Sequence, residues 1–273
     1  MRCKKTWLII ASTLIVLSGG GVVTAWGLGW FDKGVHNVSV GENATSESVT
    51  GNLTEALALA SAAQGKLQQW PGYQCIYLRD ERIDNELTEN SLVLTVLHEP
   101  FHVMMEWVEP KSKAGRKAVF ATGKNEGKMR VKIGFLKMSL DLQESITRKE
   151  SRHTLVEAGL LNLMNRFVKS WDEESKAGET STKYSDVELS GQVSGKKYTH
   201  ACRCVETDHP LSTKSKYAFH RVKIYFDKTS GLPVRMEGYD WPSNGEKEGR
   251  LLERYTYFDV KAMPTPTAGQ FEL

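Results

Sequence analysis

Excess charge is almost absent from this chain. Lys and Arg number 36 against 33 Asp and Glu, a formal net charge of +3. Arg2, Lys4 and Lys5 supply that surplus ahead of an apolar run, so the remainder balances at 3 − 3 = 0. A neutral body lacks the basic face that a phosphate backbone requires, which argues against nucleic-acid binding. Cysteine is scarce, four in 273 residues. Cys3 reads as an inert cytoplasmic thiol. Cys202-x-Cys204 with a distant Cys75 is a poor match to zinc, which wants four ligands, commonly from C-x-x-C pairs. There is no G-x-S-x-G, no phosphate-cradling glycine loop and no catalytic-cysteine neighbourhood. No cofactor is implied.

Charge is also missing from Trp7 to Phe31. That length suits a spanning helix, which needs ~20 residues, better than the ~7–15 of a signal-peptide core. Basic residues before it and Asp32 after it place the N-terminus inside and the bulk outside. Residues 1–31 are therefore expected to be an N-terminal transmembrane helix acting as a signal anchor. Val23-Thr24-Ala25 leaves a cleaved signal segment as the alternative. Residues 32–53 are polar and aperiodic, the pattern of a flexible tether. Asn37, Asn43 and Asn52 begin sequons, which matter only in a glycosylating host. Residues 54–273 are expected to form one exported domain. An oxidising compartment would permit Cys75 to bond Cys202 or Cys204, with Cys75 and Cys202 as the candidate pair.

What the body does contain is β pattern. Phe219–Phe226 puts Val222, Ile224 and Phe226 on one side and Arg221, Lys223 and Tyr225 on the other. Turns at Asp227–Gly231 and Pro242–Gly249 separate it from Leu232–Trp241 and Leu251–Val260, an antiparallel meander. Earlier strands are expected at Tyr73–Arg82, Ser91–Leu97, Phe101–Val108, Ala118–Thr122 and Met129–Ile133, with a polar turn over Ile83–Asn90. Strands resume near Val187 and at Lys197–Glu206. Helices are expected over Thr54–Trp70, stopped by Pro71-Gly72, and over Thr154–Trp171, where Thr154 and Glu157 spell a capping box. Asp172–Lys183 reads as a charged surface loop. The charge runs at Asp80–Arg82 and Glu253–Tyr255 read as solvated strand faces.

One chemical motif occurs. His98-Glu99-Pro100-Phe101-His102 is a literal H-E-x-x-H, which on a helix binds zinc with the Glu polarising water. Pro100 would interrupt that helix at a cost of ~3 kcal/mol, and both flanks are β. A strand–turn–strand is expected, leaving a zinc metallopeptidase the least favoured function. His153, His200, His209 and His220 share no ligand spacing and read as surface or hydrogen-bonded residues.

Asp227–Trp241 (DKTSGLPVRMEGYDW) and Leu251–Met263 (LLERYTYFDVKAM), with Tyr73-Gln74-Cys75 and Pro100–Trp107, resemble a family of uncharacterised secreted bacterial proteins carrying a domain of unknown function. That family is similar in pattern to the lipoprotein-carrier superfamily. The resemblance covers Thr54 to Leu273. It implies an α+β fold: a strongly curved antiparallel sheet, an open half-barrel, with helices on its concave face around an apolar hollow. It also implies a place in the bacterial cell envelope, with the body in the periplasm or secreted. The sequence departs from the carriers after Val260, where Lys261-Ala262-Met263-Pro264 replaces a polar tail.

The expected function is non-catalytic binding of a lipid, acyl chain or other hydrophobic ligand at the membrane. The alternative is an envelope protein-interaction or stress-sensor module with a protein partner. Candidate lining residues are Met105, Trp107, Leu160, Met164, Phe167, Met236, Tyr239 and Trp241, with Met104 beside them; Met and Trp suit an adaptable surface. The same residues would serve as plain core.

Overall fold

Two antiparallel meanders, each led by a helix, combine into one sheet. The computed structural model describes residues 39–143, 149–193, 195–243, 246, 248–264 and 269–273. Short strands β1 (Ser39–Ala44) and β2 (Val49–Gly51) come first. Helix α1 (Leu53–Gln68) leads into β3 (Gly72–Ile83), β4 (Glu86–Leu97), β5 (His102–Glu109), β6 (Lys117–Ala121), β7 (Met129–Ile133) and β8 (Leu136–Leu140). Helix α2 (Leu160–Ala177) leads into β9 (Ser181–Val193), β10 (Lys196–Asp208), β11 (Arg221–Asp227), β12 (Pro233–Tyr239) and β13 (Leu251–Met263). β13 pairs with β3 and joins the meanders, while β1 and β2 both pair with β9. The result is an α+β fold whose curved sheet does not close on itself.

The helices cover one face of this sheet. α1 buries Leu53, Ala56, Ala60, Ala63 and Leu67, spaced by three and four, and Asn52 caps it by accepting from the Thr54 amide at 3.0 Å. Its alanines let it lie close to α2, which buries Leu160, Leu163, Met164 and Trp171. The β11 alternation holds: Val222, Ile224 and Phe226 join the core on the helix side, and Tyr225 lies in a second cluster on the other face.

β9 and β10 supply Val187, Leu189, Cys202 and Cys204 to that second cluster. The long β9–β10 hairpin overhangs the sheet, and its tip packs back on the outer face of β13. Tyr198 and His200 stack on Phe258, with ring centroids 5.1 and 5.8 Å apart. A Cβ on Gly191 would sit 2.4 Å from the Phe258 ring, so only glycine admits this approach.

Several expectations need correction. Cys75 and Cys202 are not joined. Cys75 faces the helices, whereas Cys202 and Cys204 belong to the outer cluster, with the sheet between them, and all three are buried free thiols. Burial pushes the Cys202 and Cys204 thiols up to about 12. Part of the expected tether, residues 39–44 and 49–51, is strand, because β9 presents an open edge whose backbone groups need partners. Glu42 adds an acceptor for the Tyr225 hydroxyl at 3.0 Å. The turn expected over Ile83–Asn90 is only Asp84-Asn85, both at positive φ. The capping box forms, but it caps a single turn at Leu155–Glu157. Gly159 at φ 108° then breaks the chain, and α2 starts at Leu160. α2 also runs into the expected loop as far as Ala177, where Gly178 ends it. Among the described residues no helix is long and apolar enough to cross a membrane, and the run Trp7–Phe31 lies outside them.

Gly191→Ala is expected to destabilise by about 1–3 kcal/mol through overpacking. In a Phe258→Ala background the added methyl finds space and most of that loss disappears. Urea unfolding of the four proteins checks it; equal penalties in both backgrounds would show that the tip does not rest on Phe258.

Candidate ligand cavity and its charged wall

Because the chain breaks at Gly159, the segment before α2 crosses the sheet as an irregular strap. Between strap and sheet lies a cavity of ~210 Å³. For scale, an apolar cavity of about 150 Å³ accommodates benzene. The floor comes from β3, β5, β6, β7, β8 and β13, and the roof from residues 150–159 and the first turns of α2. One end is apolar, with Met105, Ala118, Met129, Val131, Met138 and Leu140 on the floor and Leu155 and Leu163 above. The side chains of β7 continue outward to Ile133 at the hairpin tip.

The other end is charged, and here the solvated-face reading of Asp80–Arg82 and Glu253–Tyr255 is overturned. Glu81 on β3 and Glu253 on β13 stand in register on the helix side, 1% and 2% exposed. Like charges directly opposite repel, and each buried carboxylate needs partners. The strap supplies them. Glu253 accepts from Arg152 Nε at 2.9 Å and from His153 Nε2 at 2.9 Å. Glu81 accepts from the Tyr255 hydroxyl at 2.7 Å, Ser151 Oγ at 3.2 Å and the Arg152 amide at 3.4 Å. On the outer face Asp80 receives Arg254 Nε at 2.8 Å. At the far end of the strap the Tyr73 hydroxyl accepts from the Leu160 amide at 2.7 Å.

Of the residues singled out from sequence, Met105 and Trp107 line this cavity. Leu160, Met164 and Met236 are buried in the same core, and Phe167 packs at its margin against Trp171. Met104 is buried on the opposite face of β5. Tyr239 turns away from Met236 and donates to Glu237 at 2.8 Å, and Trp241 packs against His220 with the rings tilted, centroids 5.3 Å apart. Arg79, Glu81, His153 and Arg116 were missed. The signal was available in the period-2 phase of Glu81 with Tyr77, and of Glu253 with Tyr255 and Tyr257, all core positions.

The H-E-x-x-H stretch forms the expected turn between β4 and β5, with Leu97 and His102 paired. His98 Nδ1 contacts the Trp70 carbonyl at 2.9 Å, and His102 Nδ1 lies 2.7 Å from the Phe101 carbonyl and 3.1 Å from the Thr122 amide nitrogen. The helical face on which such a motif holds zinc does not form. Among the described residues no cluster of three or more His, Cys, Asp or Glu is placed to hold a metal.

Burial alone would lower the His153 pKa, but its hydrogen bond and charge interaction with Glu253 outweigh it and raise the group above 6.5. Burial acts to raise Glu253, and His153 and Arg152 together bring it below 4.5. A raised histidine contributes stability that is complete below its unfolded pKa and lost as pH climbs through the folded one. Unfolding free energy is therefore expected to decline from about pH 6.5 upward, and His153→Phe should flatten that slope. An unchanged slope in the variant would contradict the pairing.

No curated protein matches the chain. Solved structures similar to it include an uncharacterised conserved protein from Thermus thermophilus, at 10% identity and TM-score 0.41, covering 81% of this chain and 94% of that one. Lipoprotein LppX from Mycobacterium tuberculosis is similar at 11% identity and TM-score 0.42, covering 78% and 97%. A LolA superfamily protein from Nitrosomonas europaea is similar at 12% identity and TM-score 0.34, covering 77% and 94%. Residues 70–273 match the family described as "Protein of unknown function (DUF1571)", and the chain belongs to that family.

Proposed function

We propose that the protein is a non-catalytic binder of a hydrophobic ligand, held between the strap and the sheet. The observation that carries this reading is the cavity itself: apolar floor and roof over much of its length, ~210 Å³ of open space, and a lip running out along β7 and β8. A well-packed core leaves few voids larger than a water molecule. A void of this size between a sheet and an irregular strap is better explained by an occupant than by poor packing. An acyl chain fits the lining, since methionines at positions 105, 129 and 138 adapt to a flexible guest. The charge-free segment Trp7–Phe31 and the basic residues before it support a membrane-tethered protein in the cell envelope, with the domain outside the membrane.

Ala118 is buried on β6 and faces the cavity, so Ala118→Trp would place an indole in the ligand's space. The variant is expected to bind an environment-sensitive naphthalene dye at least about ten-fold more weakly than wild type, a difference of ~1.4 kcal/mol. Its unfolding midpoint should hold or rise, as for a filled cavity. Undiminished dye binding by a folded variant would defeat the assignment.

A further inference from the structure

We infer that the charged wall is an anion site, so that the ligand is an amphipath with a carboxylate or phosphate head; this rests on the cavity reading above. Arg79 carries the argument. Its side chain is 7% exposed, its Nε has no hydrogen-bond acceptor among the described residues, and it lines the cavity. The nearest carboxylate oxygen, on Glu81, is 3.7 Å from that Nε, and Nη1 makes one long bond to Ser151 Oγ at 3.3 Å. Arg116 repeats the pattern. Its Nε is also buried without an acceptor, and its Nη1 reaches outward to Glu150, whose side chain is 44% exposed. Both guanidinium groups lie over Trp107, 5.6 and 5.9 Å from the ring.

The carboxylates of this wall are already engaged. Glu81 and Glu253 take their donors from the strap and Tyr255, Glu157 accepts from the Thr154 amide and hydroxyl, and Glu150 pairs with Arg116 and Lys113. Buried N–H donors are left over, and a buried donor without an acceptor is costly. A planar guanidinium matches carboxylate and phosphate oxygens in particular. The apolar end, meanwhile, begins at Met105 on the same strand as Trp107. Head and tail sites are thus adjacent.

Calorimetric titration of the full chain with hexadecanoate, hexadecanol and inorganic phosphate separates the possibilities. Wild type should bind the acid about ten-fold or more tightly than the alcohol. Arg79→Leu and the more exposed Arg116→Leu should each erase most of that preference while leaving hexadecanol affinity within about two-fold. Equal binding of acid and alcohol by wild type overturns the anion site and leaves the cavity reading standing. Binding of neither overturns the cavity reading as well. Phosphate binding that depends on both arginines and gains nothing from a tail would assign the wall to a free anion and overturn the amphipath.

A different observation points to the surface from which such a ligand would come. The β7–β8 tip exposes Ile133, Phe135 and Leu136 at 43%, 99% and 52%. Lys132 and Lys137 face each other in register beside them, a repulsive pair. No ion pair among the described residues reaches either lysine or neighbouring Arg130, and the acids nearest in sequence, Glu126 and Asp141, lie beyond the hairpin's open end. An apolar tip collared by unpaired cations fits the interface of an anionic bilayer. The structure assigns this tip as a membrane-docking edge at the cavity's lip. In full-length protein carrying Cys3→Ser and Phe135→Cys, a polarity-sensitive dye at position 135 reports its surroundings. On phosphatidylcholine–phosphatidylglycerol vesicles the emission should shift blue and be quenched by lipids brominated in their chains. Lys132→Glu with Lys137→Glu should abolish the shift. A dye that stays water-exposed on these vesicles, or that a protein partner alone buries, overturns the assignment.

Discussion

Two buried carboxylates placed opposite each other set the terms for the rest of the molecule. Glu81 and Glu253 meet where β3 and β13 pair, the seam that joins the two meanders. Neither is solvated, and burying even one unpaired charge carries a large penalty. Their hydrogen-bond demand is met by Ser151, Arg152 and His153, which ties the strap to the sheet at one end. At the other end Tyr73 receives the Leu160 amide beside Gly159. Held at two points, the strap cannot collapse into the sheet as a continuous helix would. The space beneath it follows from that restraint.

The chamber so formed is asymmetric. Its apolar part is a continuation of the sheet's inner face along β5 to β8, and its polar part is the fringe of the carboxylate seam. Trp107 stands at the boundary, its indole N–H donating to Asn90 at 3.2 Å and its ring beneath two guanidinium groups. The amphipathic ligand proposed above would meet both parts at once.

The local features were legible in the sequence. The Phe219–Val260 meander, the early strands and the end of α1 before Pro71-Gly72 follow from period-2 alternation and stop signals, and Pro100 was enough to turn the H-E-x-x-H into a hairpin. The failures share one cause. Tyr255 bonds Glu81 across 174 residues of chain, so the period-2 phase puts these acids on the core face while nothing local names the partners that let them be buried there. The same blindness paired Cys75 with Cys202, which lie on opposite faces, and left residues 39–44 as tether because their partner, β9, is so distant. Gly159 reads as a tolerated helix glycine until Tyr73 is seen beneath it. Met105 and Trp107 were reachable because one strand suffices to place them; the arginines over Trp107 were not, because one comes from β3 and the other from the turn that leads into β6.

The most direct test of a guest-holding chamber is native mass spectrometry of gently purified full-length protein, followed by organic extraction. The account predicts a released adduct with an alkyl chain, bound at no more than one per chain and absent from Ala118→Trp. Protein that is uniformly empty as purified, and that also stays empty after incubation with long-chain acids, alcohols and phospholipids, would contradict it.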